Sequence, residues 1–434
     1  MRRTELENGF VICSMNDEFR EALPQFYVDV FTEIDGPVDQ MLGIWAGDLL
    51  SPHHPTVTDD DVWMVIDPAQ DNRILSALLL IPQIWHYEAV KLGVGRIELV
   101  ATHREYRNRG FTRQLMEIAH QRSAELGHTL QAITGIPHFY RQFGYTMAVK
   151  LGPDTLLPFS GVKDNDQPQY TLRPAALADI PCLMQWYNTY AQQVLLSVER
   201  TEKQWAHEIT TRPMGIPPSV HYFIIENRQA EGVGYCGIRD FSDAAELEIL
   251  EYVVGDKASY LDTFDDVAWA AKQYASEKDS HLSYMVFDSG IHPTVSTLVR
   301  KSPGGITNRP TYAWYIRAAS VAHLIQKIAP VLERRLQGSG AHHYTGQVKF
   351  AFHDKTGLLI NFEGGKLIDA SDIEQDFRGA DGAFPWHSFL NLVLGHHTLD
   401  DLRAVFPDAY ANKTAAVLLE ILFPRKQAWV MGQL

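Results

Sequence analysis

The sequence predicts a mixed α/β and α+β protein built in three parts, and three observations carry that prediction. An apolar, β-branched run, Gly95-Arg-Ile-Glu-Leu-Val-Ala101, feeds a short basic loop and then a helix opened by Gly110. After a stretch rich in Pro, Gly and polar residues, the strand and helix rhythm restarts at Tyr170. From Ala318 onward the rhythm changes again, to one long amphipathic helix, a hairpin and several short apolar helices. A chain of 434 residues is also too long for a single core and fits two or three domains.

Taken in order, residues 10–14 read as a short strand. Residues 17–31 read as a helix with Phe19, Leu23, Phe26 and Tyr27 on one side. A loop rich in Pro, His and Asp spans 51–61, with Asp59-Asp60-Asp61 as a solvated turn. Strands are expected over 62–67 and 74–82. Gly93-Val-Gly95 reads as a hairpin turn before the central strand. Phe111, Leu115, Ile118 and Ala119 recur at helical spacing, and Gly127 stops that helix. Strands 129–134 and 145–150 complete a segment bounded at 1–160, and 156–169 reads as a linker.

The second segment, 170–317, holds strands at 170–174, 220–225, 233–238 and 246–254, with helices at 179–194 and 267–276. The third, 318–434, holds a helix over 321–336, whose Leu324, Ile325, Ile328 and Val331 share a face. A hairpin of 347–352 and 357–363 follows, then helices at 386–394, from Leu399, and at 415–422.

Composition removes several function classes. No apolar run approaches the ~20 residues of a membrane span, and no apolar stretch follows Arg2 and Arg3 to make a signal peptide. Cys13, Cys182 and Cys236 are scattered, which fits a reducing cytoplasmic location. A net charge of −15 disfavours nucleic acid and anionic membrane as partners and favours cations. The adjacent histidines 53–54, 342–343 and 396–397 have diverging side chains and no ligand set around them, so no metal is expected. There is no Gly-x-Ser-x-Gly nucleophile elbow.

The candidate site begins at the helix opened by Gly110. A helix N-terminus offers unpaired N–H groups and partial positive charge. Gly110 lets a ligand approach the backbone, and Arg107 and Arg109 add charge, a combination suited to pyrophosphate. Arg107-Asn-Arg-Gly110-Phe-Thr112 after a strand resembles the Arg/Gln-x-x-Gly-x-Gly/Ala coenzyme A loop of the GNAT N-acetyltransferases. Thr112 takes the usual small position, and Arg104 stands where proline is common. Downstream, Phe139-Tyr-Arg-Gln-Phe-Gly-Tyr145 resembles the Tyr-x-x-Phe-Gly-Tyr segment of the enhanced intracellular survival (Eis) type of that family.

This resemblance covers essentially the whole chain and implies tandem GNAT folds followed by a C-terminal sterol-carrier-protein-like α+β domain. It implies an N-acetyltransferase that uses acetyl-CoA and acts on a cationic primary amine such as a polyamine, an aminoglycoside or a lysine. It also implies a homo-oligomer, a hexamer in the family. The cofactor residues carried over are Val100, Thr102, Arg107, Asn108, Arg109, Gly110, Phe111 and Thr112. Tyr140 matches the family's acid for the leaving thiolate. A tyrosine pKa near ~10 against a thiol near ~8.5 makes that donation mildly uphill. The base is either the terminal carboxylate of Leu434 or Glu98, which alternation would put on one strand face with Val100 and Thr102. Glu33, with Asp35 beside it, matches the family's acidic acceptor contact. The second segment has Gly255-Asp256-Lys257 after its central strand, and Asp262, Asp265 and Asp266 near the next helix, so it is not expected to bind coenzyme A. The competing expectation is a non-catalytic carrier that holds an apolar ligand in the third segment.

Overall fold

The computed structural model describes residues 3–32, 40–210, 220–241, 245–278, 281–385 and 387–430. The chain divides into two compact units, residues 1–149 with 314–427, and residues 150–313 with 428–434.

The first unit begins with β1 (Arg3–Glu5), β2 (Val11–Ser14), α1 (Ala22–Phe31) and α2 (Gln40–Leu49). Then come β3 (Val62–Asp67), β4 (Arg73–Tyr87), β5 (Val90–Thr102), α3 (Phe111–Glu125), β6 (Leu130–Ile133) and β7 (Thr146–Leu151). The expected helix 17–31 is split into a 3-10 turn, Asp17–Phe19, and α1. Helix α2 had no sequence signature, because it carries two glycines. Packing demands the first of them: a Cβ on Gly43 would lie 2.4 Å from Val28 Cγ2 of α1.

Two local expectations are corrected. Gly93 and Gly95 do not turn the chain but lie inside β5, and the hairpin turns at Glu88, whose φ is 52°. The glycines are there because His128 and Ser123, past and within α3, press on the strand. A Cβ on Gly95 would meet Ser123 Oγ at 2.7 Å and His128 Nδ1 at 2.9 Å. Asp61 is not solvated: it caps the turn at Thr58 and pairs with Arg122 at 3.0 Å.

Strand β5 is bent where the site forms. Its antiparallel register with β4 slips between Ala77 and Leu79, so Leu79 faces Glu98 and Ala77 faces Ala101. Leu99, in the slipped stretch, has φ 51°. Leu79, Ala77, Leu99 and Ala101 all join the core cluster beneath α1 and α2. Directly opposed residues share a face, so Glu98 shares its face with Ala101. The expected Glu98, Val100, Thr102 face is therefore not formed, since the bulge breaks the two-residue period. Thr102 instead meets Ser76 at 2.8 Å and Thr112 of α3 at 3.1 Å.

The second unit contains β8 (Pro153–Pro158), β9 (Tyr170–Pro174), α4 (Ile180–Ala191), β10 (Leu196–Val198), α5 (Glu202–Thr210), β11 (His221–Asn227) and β12 (Gly232–Phe241). It continues with β13 (Glu246–Val254), α6 (Tyr260–Lys278), β14 (Tyr284–Asp288) and α7 (Pro293–Lys301). Its sheet runs β8-β14-β13-β12-β11-β9. The stretch expected to be a linker thus starts as an edge strand, β8, whose prolines are tolerated at the sheet border. Asp266 does not face the start of α6; its carboxylate accepts from the backbone of Gln169 and Tyr170.

The remaining elements are β15 (Tyr312–Ala318), α8 (Val321–Gln337), β16 (Gly346–Phe352), β17 (Thr356–Glu363), β18 (Lys366–Glu374), β19 (Gly382–Phe384), α9 (Phe389–Val393), α10 (Leu399–Val405), β20 (Tyr410–Ala411), α11 (Lys413–Leu422) and β21 (Ala428–Trp429). Strand β15 returns to the first sheet, whose order is β1-β2-β3-β4-β5-β6-β15-β7. A third sheet runs β18-β17-β16-β19-β20, with α8 against it. Strand β21 belongs to the second unit and pairs in parallel with β10.

Candidate active site

Strands β5 and β6 pair in parallel only from Val94 with Leu130 to Arg96 with Ala132. Beyond Arg96 they part, because the bulge turns β5 away while β6 ends at Ile133. The gap is a cleft of about 830 Å³ in the first unit. Its walls include Glu98, Val100, Thr102, Tyr140 and the whole of Arg107 to Thr112. One cavity therefore collects every expected cofactor residue and two of the three expected catalytic ones. Leu434, Glu33 and Asp35 lie outside the described residues.

The loop at one end is shaped for an anion. Gly110 precedes α3 with φ 81°, and Asn108 has φ 63°. A Cβ on Gly110 would meet nothing within 4 Å, so conformation rather than crowding demands glycine, and the space over it is open. The N–H groups of Gly110, Phe111 and Thr112 bond to no acceptor among the described residues, as the first turn of a helix requires. Thr112 turns its hydroxyl onto Thr102 of β5, so a side chain larger than glycine fits there without covering the amides. Arg109 stacks 4.9 Å from the Tyr106 ring centre, and Arg113 lies 5.2 Å from that of Phe143. These contacts hold cations at the loop, with no carboxylate among the described residues paired to either of them.

At the other end the aromatic motif forms a 3-10 turn, Phe139–Phe143, closed by Gly144 at φ 90°. Its two tyrosines differ. Tyr145 is fully buried, and its phenol bonds His120 Nε2 at 2.8 Å. Burial raises its pKa out of any useful range, and burial also lowers His120 to about 4. Tyr140 instead lines the cleft at 5% exposure. Its ring lies 5.1 Å from Phe139 and 5.9 Å from Tyr315 of β15. Tyr315 also accepts the His138 N–H at 2.6 Å, so the returning strand braces the turn that carries Tyr140. Gly135 completes the seat: a Cβ there would lie 1.8 Å from Tyr140 Cε2. Sequence reasoning missed both Gly135 and Tyr315. The glycine after β6, just before the aromatic motif, was the available sign.

Glu98 is buried, and its Oε1 accepts from Arg96 Nε and Nη2 at 2.8 Å and from Thr134 at 3.3 Å. Arg96 is itself buried, with its guanidinium 5.2 Å from the Trp314 ring centre and 6.0 Å from that of Trp45.

Two other groups of residues are arranged differently. In the second unit, the Gly255 N–H is spent on Val233 O at 2.8 Å, and Trp186 packs where a Gly255 side chain would be. The His342 and His343 rings lie 4.5 Å apart and those of His396 and His397 4.3 Å apart, so neither pair diverges as expected. Neither pair belongs to a group of three or more metal-ligating side chains among the described residues.

Residues 16–148 match the acetyltransferase (GNAT) domain family. This part of the chain is accordingly an acyltransferase domain, and enzymes of that family use acetyl-CoA as co-substrate. The whole chain is similar in fold to a GCN5-related N-acetyltransferase from Anabaena variabilis (TM-score 0.67, 14% identity, covering 97% of this chain and 99% of that one). It is similar to a conserved protein of unknown function from Enterococcus faecalis (TM-score 0.68, 14% identity, 98% and 99%). It is similar also to Eis1 from Mycobacterium abscessus (TM-score 0.61, 13% identity, 97% and 100%). At these identities the likeness concerns the fold alone. No curated protein matches the sequence. No helix among the described residues is long and apolar enough to cross a membrane.

Proposed function

We propose that the first-unit cleft transfers an acetyl group from acetyl-CoA to a cationic primary amine. The observation that carries this is the meeting, in one cleft, of the open Gly110 amides, the splayed edge of β5 and Tyr140. Acetyl-CoA supplies an acetyl thioester, whose C–S bond breaks as the amine's C–N bond forms. Arg107, Asn108, Arg109, Gly110, Phe111 and Thr112 hold the diphosphate. Main-chain groups at Val100 and Thr102 align the pantetheine arm along β5, where β6 no longer pairs. A backbone N–H near Val100 faces the developing oxyanion, a contribution of several kcal/mol in such sites. Tyr140 gives its proton to the leaving thiolate.

The amine's proton goes to a carboxylate, either that of Leu434 or Glu98, and Glu33 with Asp35 supplies the acidic acceptor contact. The segments 1–160, 170–317 and 318–434 act as a catalytic acetyltransferase fold, a second copy that does not bind coenzyme A, and a sterol-carrier-like domain. The five-stranded third sheet with α8 against it supports the last assignment. The assembly is a cytoplasmic homo-oligomer.

Thiol release with a panel of amines tests the reading. Tyr140→Phe is expected to lower kcat by about 10²–10⁴ while leaving the KM for acetyl-CoA within a few fold. One residue added after Leu434 slows turnover comparably if that carboxylate is the base, and an unchanged rate moves the role to Glu98. No turnover with any amine, together with saturable binding of a fatty probe, favours the carrier function instead.

A further inference from the structure

We propose that Tyr315 is a positioning residue for Tyr140: its phenol oxygen holds the strained backbone at His138, and that hold keeps the Tyr140 ring facing the cleft. The inference rests on the acetyl-transfer reading of the cleft, in which Tyr140 is the acid.

The turn that carries Tyr140 opens in an unfavourable conformation. His138 has φ 70° and ψ −31°, and the Phe139 N–H reaches back to Pro137 O at 2.9 Å. Residues 137–139 therefore make a three-residue turn of the left-handed form, which is rare because the central side chain crowds its own backbone. A residue keeps such a conformation only where its surroundings impose it. Here the His138 N–H donates to Tyr315 Oη at 2.6 Å, from 177 positions away in the chain. Tyr315 is fully buried, so water does not compete for that bond.

Register brings Tyr315 to this point. Strand β15 runs antiparallel to β6 with Tyr315 opposite Ile133, the last residue of β6, so its phenol lies against the chain that leaves that strand. Two residues on, Arg317 takes the same side of β15. It donates to Gln131 at 2.8 Å, and a Cβ on Gly144 would lie 3.3 Å from its Nε. Strand β15 thus meets the turn at both of its left-handed residues, His138 where it opens and Gly144, at φ 90°, where it closes. Tyr140 sits between those two points, with its ring 5.9 Å from that of Tyr315. The family match over 16–148 contains the turn but not the strand that holds it. The placement of the acid is completed from beyond the matched domain.

The test uses the full-length enzyme. Tyr315→Phe keeps the ring and deletes the oxygen. It is expected to lower kcat at least tenfold while acetyl-CoA affinity, measured by calorimetry, stays within twofold. Adding His138→Gly should return kcat to within about threefold of the unaltered enzyme, because glycine adopts a positive φ without help. No recovery would assign Tyr315 to packing alone and overturn the inference. In a Tyr140→Phe background, Tyr315→Phe should change kcat less than twofold, since it acts through that phenol. A further tenfold loss there would overturn the inference too. Amide exchange over 137–143, followed by mass spectrometry, needs no turnover. Tyr315→Phe should speed it at least tenfold, and an unchanged rate refutes the brace. Full activity in Tyr140→Phe would overturn the acid assignment and the inference with it, and the exchange rates would still tell whether the brace exists.

Discussion

Tyr140 and Tyr145 sit five residues apart in one aromatic motif, yet their surroundings differ. Tyr145 is sealed and bonded to His120, while Tyr140 borders the cleft. The motif made both tyrosines visible in the sequence, but it could not separate them, because burial depends on strands far away in the chain. Gly135 stood in view before the aromatic motif, but its purpose was not legible. Its requirement comes from the Tyr140 ring occupying its missing side chain, a contact between a strand end and a turn. Gly135→Ala is therefore expected to push the ring out of its seat, lowering kcat by at least tenfold and stability by about 1–3 kcal/mol. Steady-state kinetics and urea unfolding measure the two effects, and an unaltered kcat would show that the ring position does not matter to turnover.

At the scale of elements, the β4–β5 hairpin joins the first sheet to the helices behind it. Glu88 at its tip pairs with Arg334, with Arg335 at 2.6 Å and with Lys426 at 3.0 Å, and Tyr87 donates to Val393 O at 2.8 Å. Burial alone would raise the Glu88 pKa, but the bonds from Arg335 and Lys426 outweigh it and bring the value down from 4.5 to about 2. A carboxylate depressed in the folded state adds stability that is complete above its unfolded pKa and is lost as pH falls through the folded one. Glu88→Gln should thus lower Tm by about 2–4 °C at neutral pH. The gap to the unaltered protein should close as pH falls from about 4.5 toward about 2, and a gap independent of pH would contradict the clamp. The bulge in β5 belongs to this scale too. The apolar, β-branched run announced the strand, but nothing in it announced the slip at Leu99 that parts β5 from β6.

For the molecule as a whole, the chain's path was harder to read than its elements. Residues 312–318 come at the end of the second segment in sequence, yet they insert between β6 and β7 of the first sheet and bring Tyr315 to the turn that carries Tyr140. Near the other end, Trp429 is 1% exposed in the second unit, 4.7 Å from the rings of both Tyr187 and Tyr190, and Gly290 has no side chain to keep it out. Trp429→Ala should cost about 3–5 kcal/mol of stability in chemical denaturation, the usual cost of emptying such a site. A loss below 1 kcal/mol would mean that the site collapses around the gap. The sequence by itself determined the local pieces: the period-2 and period-3.6 patterns, the glycine before α3, the basic loop and the aromatic motif. All of these depend on neighbours within a few residues. The tertiary structure alone decided which face Glu98 occupies, which tyrosine reaches the cleft and where residues 312–318 and 428–430 dock. Those outcomes are set by register and packing between segments far apart in the chain, and no short stretch of sequence encodes them.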